Sequence, residues 1–305
     1  MLARIILLAA LLVPCSTHAQ ETSDTYTTAT VVNILSTEHD DSSGFNRTVQ
    51  QLLVRLDDGT EASMENSAVE GMTHALLRPG QTVVVERLEK ADGSVQLLGR
   101  EPYRLPWIAG LILAFFSVAI AFAGRTGFTS IIGLGVSILI LGFYVVPTIG
   151  NGGNPLVASI IGSIAIACTS LYLAHGFSFR TSVALLSTLI TLALSLILSI
   201  VAVRLAQLTG QGDEATMFLQ LGPLQAVNVR GLLLGGIVIG ALGVLDDITT
   251  TQTAAISELK RANPRMGTRE LYAAGISIGR EHIASLVNTL ALAYVGASLP
   301  LLLLF

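Results

Sequence analysis

The chain predicts an α-helical integral membrane protein with about six transmembrane helices and a small exported N-terminal β domain. Three observations predict it. The 305 residues have a mean hydropathy of +0.68 and are only 12% charged, which excludes a soluble enzyme. The charges are unevenly placed, so the net charge of -4 says little. Acids gather in residues 20–104, whereas residues 105–257 are nearly all apolar, small or hydroxyl-bearing. Finally, two adjacent acids, Asp246 and Asp247, end a glycine-rich apolar run that starts at Gly231. Acids in or beside a membrane span are costly and mark an ion path or a packing lock.

Residues 1–19 read as a secretory signal. Arg4 supplies the positive end, Ile5 to Val13 the apolar core, and Thr17, His18 and Ala19 a small-residue cleavage site. An uncleaved anchor is the other reading. Cleavage would leave Cys168 as the remaining thiol, within an apolar helix, so no disulfide framework is expected.

Residues 20–104 read as the β domain, an OB- or SH3-like barrel. Leu52, Val54 and Leu56 alternate with Leu53 and Arg55, and Asp57 to Thr60 turn the chain. Pro79 and Gly80 precede the run Thr82 to Leu88, and Asp92 and Gly93 turn it into Val95 to Leu98. About five short strands in this length suit a small barrel. The ring stacks or basic stripe of a nucleic-acid-binding barrel are missing, so no nucleic-acid partner is expected.

Residues 105–305 form the polytopic domain, with helices at about 106–124, 128–146, 156–174, 181–203, 231–258 and 281–304. Each carries enough apolar residues to cross a core of roughly 30 Å. Tyr103 and Trp107 suit an interfacial belt. Pro147, Gly150, Gly152, Gly153 and Pro155 make a tight connection, and residues 204–230 a longer polar one. With residue 20 outside, the inner segments hold Arg125, Arg180, Lys260, Arg261, Arg265, Arg269 and Arg280, and the outer loops hold Arg204 and Arg230. That bias agrees with the signal segment in placing the β domain outside the cytoplasm. The chain stops at Phe305, straight after Pro300 and an apolar run. A natural end and a missing further helix are both open.

The acids lie in the fifth predicted helix. Ile248 to Leu259 contains no Pro or Gly, so the helical pattern extends to Lys260. Arg230 to Asp246 then spans about 24 Å and Asp246 to Lys260 about 21 Å, which puts the pair near mid-helix. Helical spacing places Asp247 on one face with Gly236, Gly240, Gly243, Thr251 and Glu258, and Asp246 beside it with Thr250, Thr253 and Ser257. The glycines would let a neighbouring helix approach. The expected neighbour is the sixth span, where Glu281, Ser285 and Asn288 follow helical spacing, flanked by His282 and Thr289.

Close carboxylates in low dielectric do not both stay charged, so such a pair tends to hold a proton and to couple its occupancy to conformation. Thr250, Thr251 and Thr253 would hold relay waters and Asn288 would bond the neutral form. A packing seam without transport is the plainer reading of the same residues. No standard metal-ligand spacing, nucleophile elbow or phosphate loop is visible, so no metal, cofactor or catalytic residue is expected.

Two segments, Val244 to Leu259 and Gly279 to Leu290 running on through Leu299 and Pro300, resemble the YibE/F-like family of bacterial multi-span membrane proteins. The resemblance implies a multi-pass protein of the bacterial inner membrane, and a further helix beyond the final Leu-Pro run. In its plan the chain is also similar to half of a resistance–nodulation–division transporter, a plan shared by the Sec D and F translocation accessory proteins. That similarity implies proton carriage by Asp246 and Asp247.

The expected function is therefore a proton- or cation-coupled transporter, or a motor subunit of one. The alternative is a non-transporting envelope assembly protein whose β domain binds a partner. The lipid bilayer is the expected environment, with a homodimer or a partner membrane subunit as the further candidate partners.

Overall fold

The computed structural model describes residues 25–40, 47–69, 76–89, 95–211, 214–222 and 226–303. The signal segment predicted at 1–19 lies outside the described residues. The chain divides into two compact units, one around the strands and one comprising most of the helices.

In the first unit, β1 (Thr25–Asp40), β2 (Arg47–Leu56), β3 (Glu61–Val69), β4 (Thr82–Glu89) and β5 (Val95–Pro102) join in the order β1-β2-β3-β5-β4. Every pairing is antiparallel except β3 with β5, and β1 also pairs with β4, so the sheet closes on itself. The inside is set by alternation. Leu52, Val54 and Leu56 point inward with Ala29, Val31, Met64, Val83, Val85 and Leu97, whereas Arg55 faces solvent. The hairpin from β2 to β3 turns at Gly59, whose φ of 85° suits a residue without Cβ. Leu56 N–H donates to the Thr60 carbonyl at 2.9 Å and closes the turn.

Polar groups inside this sheet are joined to one another. Gln50, 4% exposed, accepts from the Leu77 N–H at 2.8 Å and donates to the Leu77 carbonyl at 3.3 Å. Asn66 donates to the same Gln50 side chain at 3.2 Å. At the surface, the Thr60 N–H donates to Asp58 at 2.8 Å, and this bond holds the Asp58 carboxyl below the usual carboxylate range.

The helices are α1 (Leu105–Ile140), a π-helical turn at Leu141–Val145, α2 (Val146–Gly150), α3 (Pro155–His175), α4 (Phe179–Leu205), α5 (Glu214–Leu221), α6 (Val229–Ala262), α7 (Thr268–Ala297) and α8 (Leu299–Leu302). Among the described residues, four helical runs are long and apolar enough to cross a membrane: Leu105–Gly150, Pro155–His175, Phe179–Leu205 and Val229–Ala262. The first is 46 residues long, or about 69 Å as a straight helix, far beyond one crossing. It is broken at Gly124, where φ 58° and ψ -132° are open only to glycine. Past the break the chain folds back closely enough that a Cβ on Gly127 would lie 2.8 Å from the Ala119 carbonyl oxygen. The predicted helices at 106–124 and 128–146 thus fall on the two sides of one glycine break.

The predicted span at 281–304 differs from what is found. Its helix, α7, starts at Thr268 and stops at Ala297, and Arg280, Glu281 and His282 lie inside it. The charged turn dilutes its apolar character, so α7 is not among the four candidate crossings.

Capping explains where the spans begin. Asn154 accepts from the N–H groups of Leu156 and Val157 ahead of Pro155, and Asn228 accepts from the Gly231 N–H. Ser178 caps α4 through the Thr181 N–H.

Helices α3, α4 and α6 form the core of the second unit around Ala167, Leu192, Val238 and Leu242. A close seam joins α3 and α6, where a Cβ on Gly235 would meet the Ser159 side chain and lie 3.3 Å from the Pro155 carbonyl. Across α4 and α6, the hydroxyls of Thr188 and Thr249 lie 2.6 Å apart.

Candidate functional site

Helix α6 runs unbroken through both acids, from Val229 to Ala262. Successive residues of a helix point about 100° apart, so neighbours in sequence face different surroundings. Asp246 is half-buried toward the bundle, and its Oδ1 is shut off from solvent with no hydrogen-bond partner among the described residues. Asp247 is exposed. The doublet is therefore two acids with separate environments.

The face grouped with Asp247 is coherent but turned outward. Gly236, Gly240, Gly243, Thr251 and Glu258 are all exposed, and a Cβ on any of the three glycines would meet nothing within 4 Å. The tight-packing glycines are Gly231 and Gly235 on the opposite face, beside Leu234, Val238 and Leu242. Glu258 pairs with Arg261 at 2.6 Å on the surface. The expected packing role of Gly236, Gly240 and Gly243 thus passes to other residues within this chain, because contact with Ser159 and Pro155 decides which face is buried.

The neighbour of Asp246 is α3, not the expected helix at 281–304. Ser170 lies within reach of the Asp246 carboxyl and His175 is close enough to interact with it electrostatically. Glu281, Ser285 and Asn288 are exposed and make no hydrogen bond or ion pair to either acid among the described residues. Helix α7 meets α6 lower down, where the Gln252 side chain donates to the Gly275 carbonyl at 2.6 Å. His282 is half-buried, and Thr289 bonds back to the Ser285 carbonyl at 3.0 Å.

Below Asp246 the threonines line up. Thr250 donates to the Asp246 carbonyl at 2.9 Å, Thr253 donates to the Thr249 carbonyl, and Ser257 donates to the Thr253 carbonyl at 2.7 Å. Each hydroxyl is a donor to its own helix and keeps lone pairs for another group. Thr250 and Thr253 also line a cavity of about 10 Å³ with His175, Arg180 and Thr181.

Sequence reasoning missed Ser170, His175, Thr188 and Thr249, and took Arg180 only as a membrane flank. The available signal was weak: a histidine at a helix end, and serines spread through an apolar helix. Among the described residues no group of three or more His, Cys, Asp or Glu is arranged to hold a metal ion.

Several apolar helices of crossing length, packed around a half-buried acid, define a multi-span membrane protein. The family model of the YibE/F-like proteins matches residues 111–305, and the chain belongs to that family. No curated protein and no solved structure matches the chain.

Proposed function

We propose that this protein is a proton-coupled transporter, or the motor subunit of one, in the inner membrane of a bacterial envelope. Six spans cross the bilayer in this reading, and the β domain is exported. Support for the span count comes from the Gly124 break, which divides Leu105–Gly150 into two pieces of crossing length; the reading takes α7, 30 residues long, as the last crossing although it is less apolar than the other spans. Support for the orientation comes from the basic residues that flank α6 and α7.

The single observation that carries the coupling role is the half-buried Asp246 carboxyl, which has Ser170 within reach but whose enclosed Oδ1 has no hydrogen-bond partner among the described residues. A purely structural acid in such a place would be hydrogen-bonded, because an unpartnered buried carboxylate oxygen is costly. An oxygen left open suits a group that takes up and releases a proton. Asp247, on the exposed face, sets the local charge.

The test is proton flux into proteoliposomes that enclose a pH-sensitive dye. Reconstituted protein is expected to dissipate an imposed pH gradient, and the double variant D246N/D247N to do so no faster than empty liposomes. Unchanged flux in a well-folded double variant would remove the coupling reading and favour an anchor for the β domain.

A further inference from the structure

We propose that the groove between α6, α7 and the loop after α4 binds one phospholipid, with an acyl chain along the exposed glycines of α6 and the headgroup phosphate at Arg230. The site goes beyond the proton-coupling reading and does not depend on it.

Shape comes first. The groove holds about 880 Å³, inside the range of roughly 300–1,000 Å³ that small-molecule sites occupy. Its floor is α6 from Val229 to Val244, about 22 Å of helix. A bilayer with its headgroups is about 40–45 Å thick, so the groove has the depth of one leaflet. The floor is deep because Gly236 and Gly240 lack side chains, and a Cβ on either would meet nothing within 4 Å. Leu232, Leu233, Ile237 and Val244 line it alongside, and Tyr294 of α7 adds a ring.

Polarity comes second. The aliphatic part of this lining offers water no hydrogen bonds and suits a hydrocarbon chain. The mouth differs. Gln207, Thr209 and Gln211 belong to the loop that packs on the first turn of α6, where a Cβ on Gly210 would lie 2.8 Å from the Val229 carbonyl oxygen. Gln207 is held at φ 52°, a left-handed position where glycine is usual, so an amide side chain stands there instead of a hydrogen. Thr216 of α5 also lines the groove, is only 9% exposed, and makes no hydrogen bond among the described residues. A ligand oxygen would satisfy its hydroxyl.

Charge comes third. Arg230 Nε donates to the carbonyl of Leu208, another lining residue, at 3.3 Å, which fixes the guanidinium at the mouth. Arg230 forms no ion pair among the described residues, so its other N–H groups remain for a phosphate. Arg204, in the last turn of α4, adds a second positive charge near this end. Lipid tails are as apolar as the groove, so the chain gains little on leaving the bilayer and the headgroup decides selection. A helix of a second copy, about 10 Å across, would occupy about 1,700 Å³ over the same length. That is roughly twice the groove, whereas a hydrocarbon chain is thin enough to enter it.

The experiment is native mass spectrometry of the full chain in detergent, titrated with phosphatidylglycerol. The protein is expected to take up one lipid per chain, saturably. Gly240→Leu fills the floor and is expected to weaken uptake about tenfold, and leucine favours a helix more than glycine does, so the fold is kept. Gly243→Leu, in open space on the same helix but outside the groove, should leave uptake unchanged. R230Q is expected to weaken phosphatidylglycerol binding about fivefold and to leave diacylglycerol, which lacks the phosphate, unaffected. A photoactivatable phosphatidylglycerol needs no substitution, and its adducts on the unaltered chain are expected at residues 232–244 and at Tyr294. Equal loss in G240L and G243L, no loss in G240L or in R230Q, adducts spread evenly over the apolar helices, or a dimer joined through Gly236 and Gly240 would each overturn the site. None of these steps measures flux, so a failed flux test would remove the transport reading and leave the lipid site standing.

Discussion

The closed sheet and the helical bundle differ in how fully they satisfy their buried polar groups. Within the sheet, Gln50 serves both backbone groups of Leu77 and takes a bond from Asn66. Within the bundle Thr188 is bonded, yet Ser163 Oγ and Asp246 Oδ1 are buried without partners among the described residues. Satisfied groups hold a structure in one state, whereas open ones are costly and persist where a second state or a mobile ion uses them. The contrast shows where in one chain to look for stability and where to look for function.

The bundle's close seam is the place to break first. Gly235→Val would drive a branched side chain into Ser159 and the Pro155 carbonyl, with an expected cost of about 3 kcal/mol or more. Loss of the monodisperse peak in fluorescence-detected size exclusion checks this, and Gly236→Ala, which meets open space, should leave the peak unchanged. Next comes the sheet. Gln50→Leu leaves the Leu77 N–H and carbonyl without their side-chain partner, at an expected cost of about 2–3 kcal/mol, read as a lower denaturation midpoint of the strand signal.

A smaller effect is expected where the bundle does pair its hydroxyls. Thr188→Val removes the contact with Thr249 and should cost about 1 kcal/mol, measured by thermal unfolding in detergent.

The smallest effect belongs to Asp58. Its folded carboxyl is held below the ordinary value of 3.8 by the Thr60 N–H. A depressed folded value means the stabilisation is present above the unfolded value and is lost as pH falls through the folded one. D58A should therefore speed amide exchange in the 57–60 turn at neutral pH, and the difference should disappear in strong acid.

Local pattern made parts of both units legible. Alternation at Leu52 to Leu56 marked the inward face of β2, and Asp57 to Gly59 marked the hairpin. The unbroken run to Lys260 marked the long α6. What stayed hidden was pairing between helices. A helical wheel sets Asp246 and Asp247 side by side, but it does not say which face meets α3. That choice rests on Gly235 against Ser159, a contact between residues 76 positions apart. Likewise, the spacing of Glu281, Ser285 and Asn288 defined a face without defining its neighbour, and that face is exposed. His175 was missed because a lone histidine at a helix end has the same local pattern as a cap.

Comparing the two acids one at a time gives the most direct measurement. Proton flux is to be recorded in proteoliposomes for D246N and D247N at matched, well-folded protein levels. Asp246 as the carrier predicts that D246N falls to the rate of empty liposomes while D247N keeps a substantial share of the flux. Full flux in D246N, or loss in D247N alone, would contradict the assignment of the proton to the acid enclosed by the bundle.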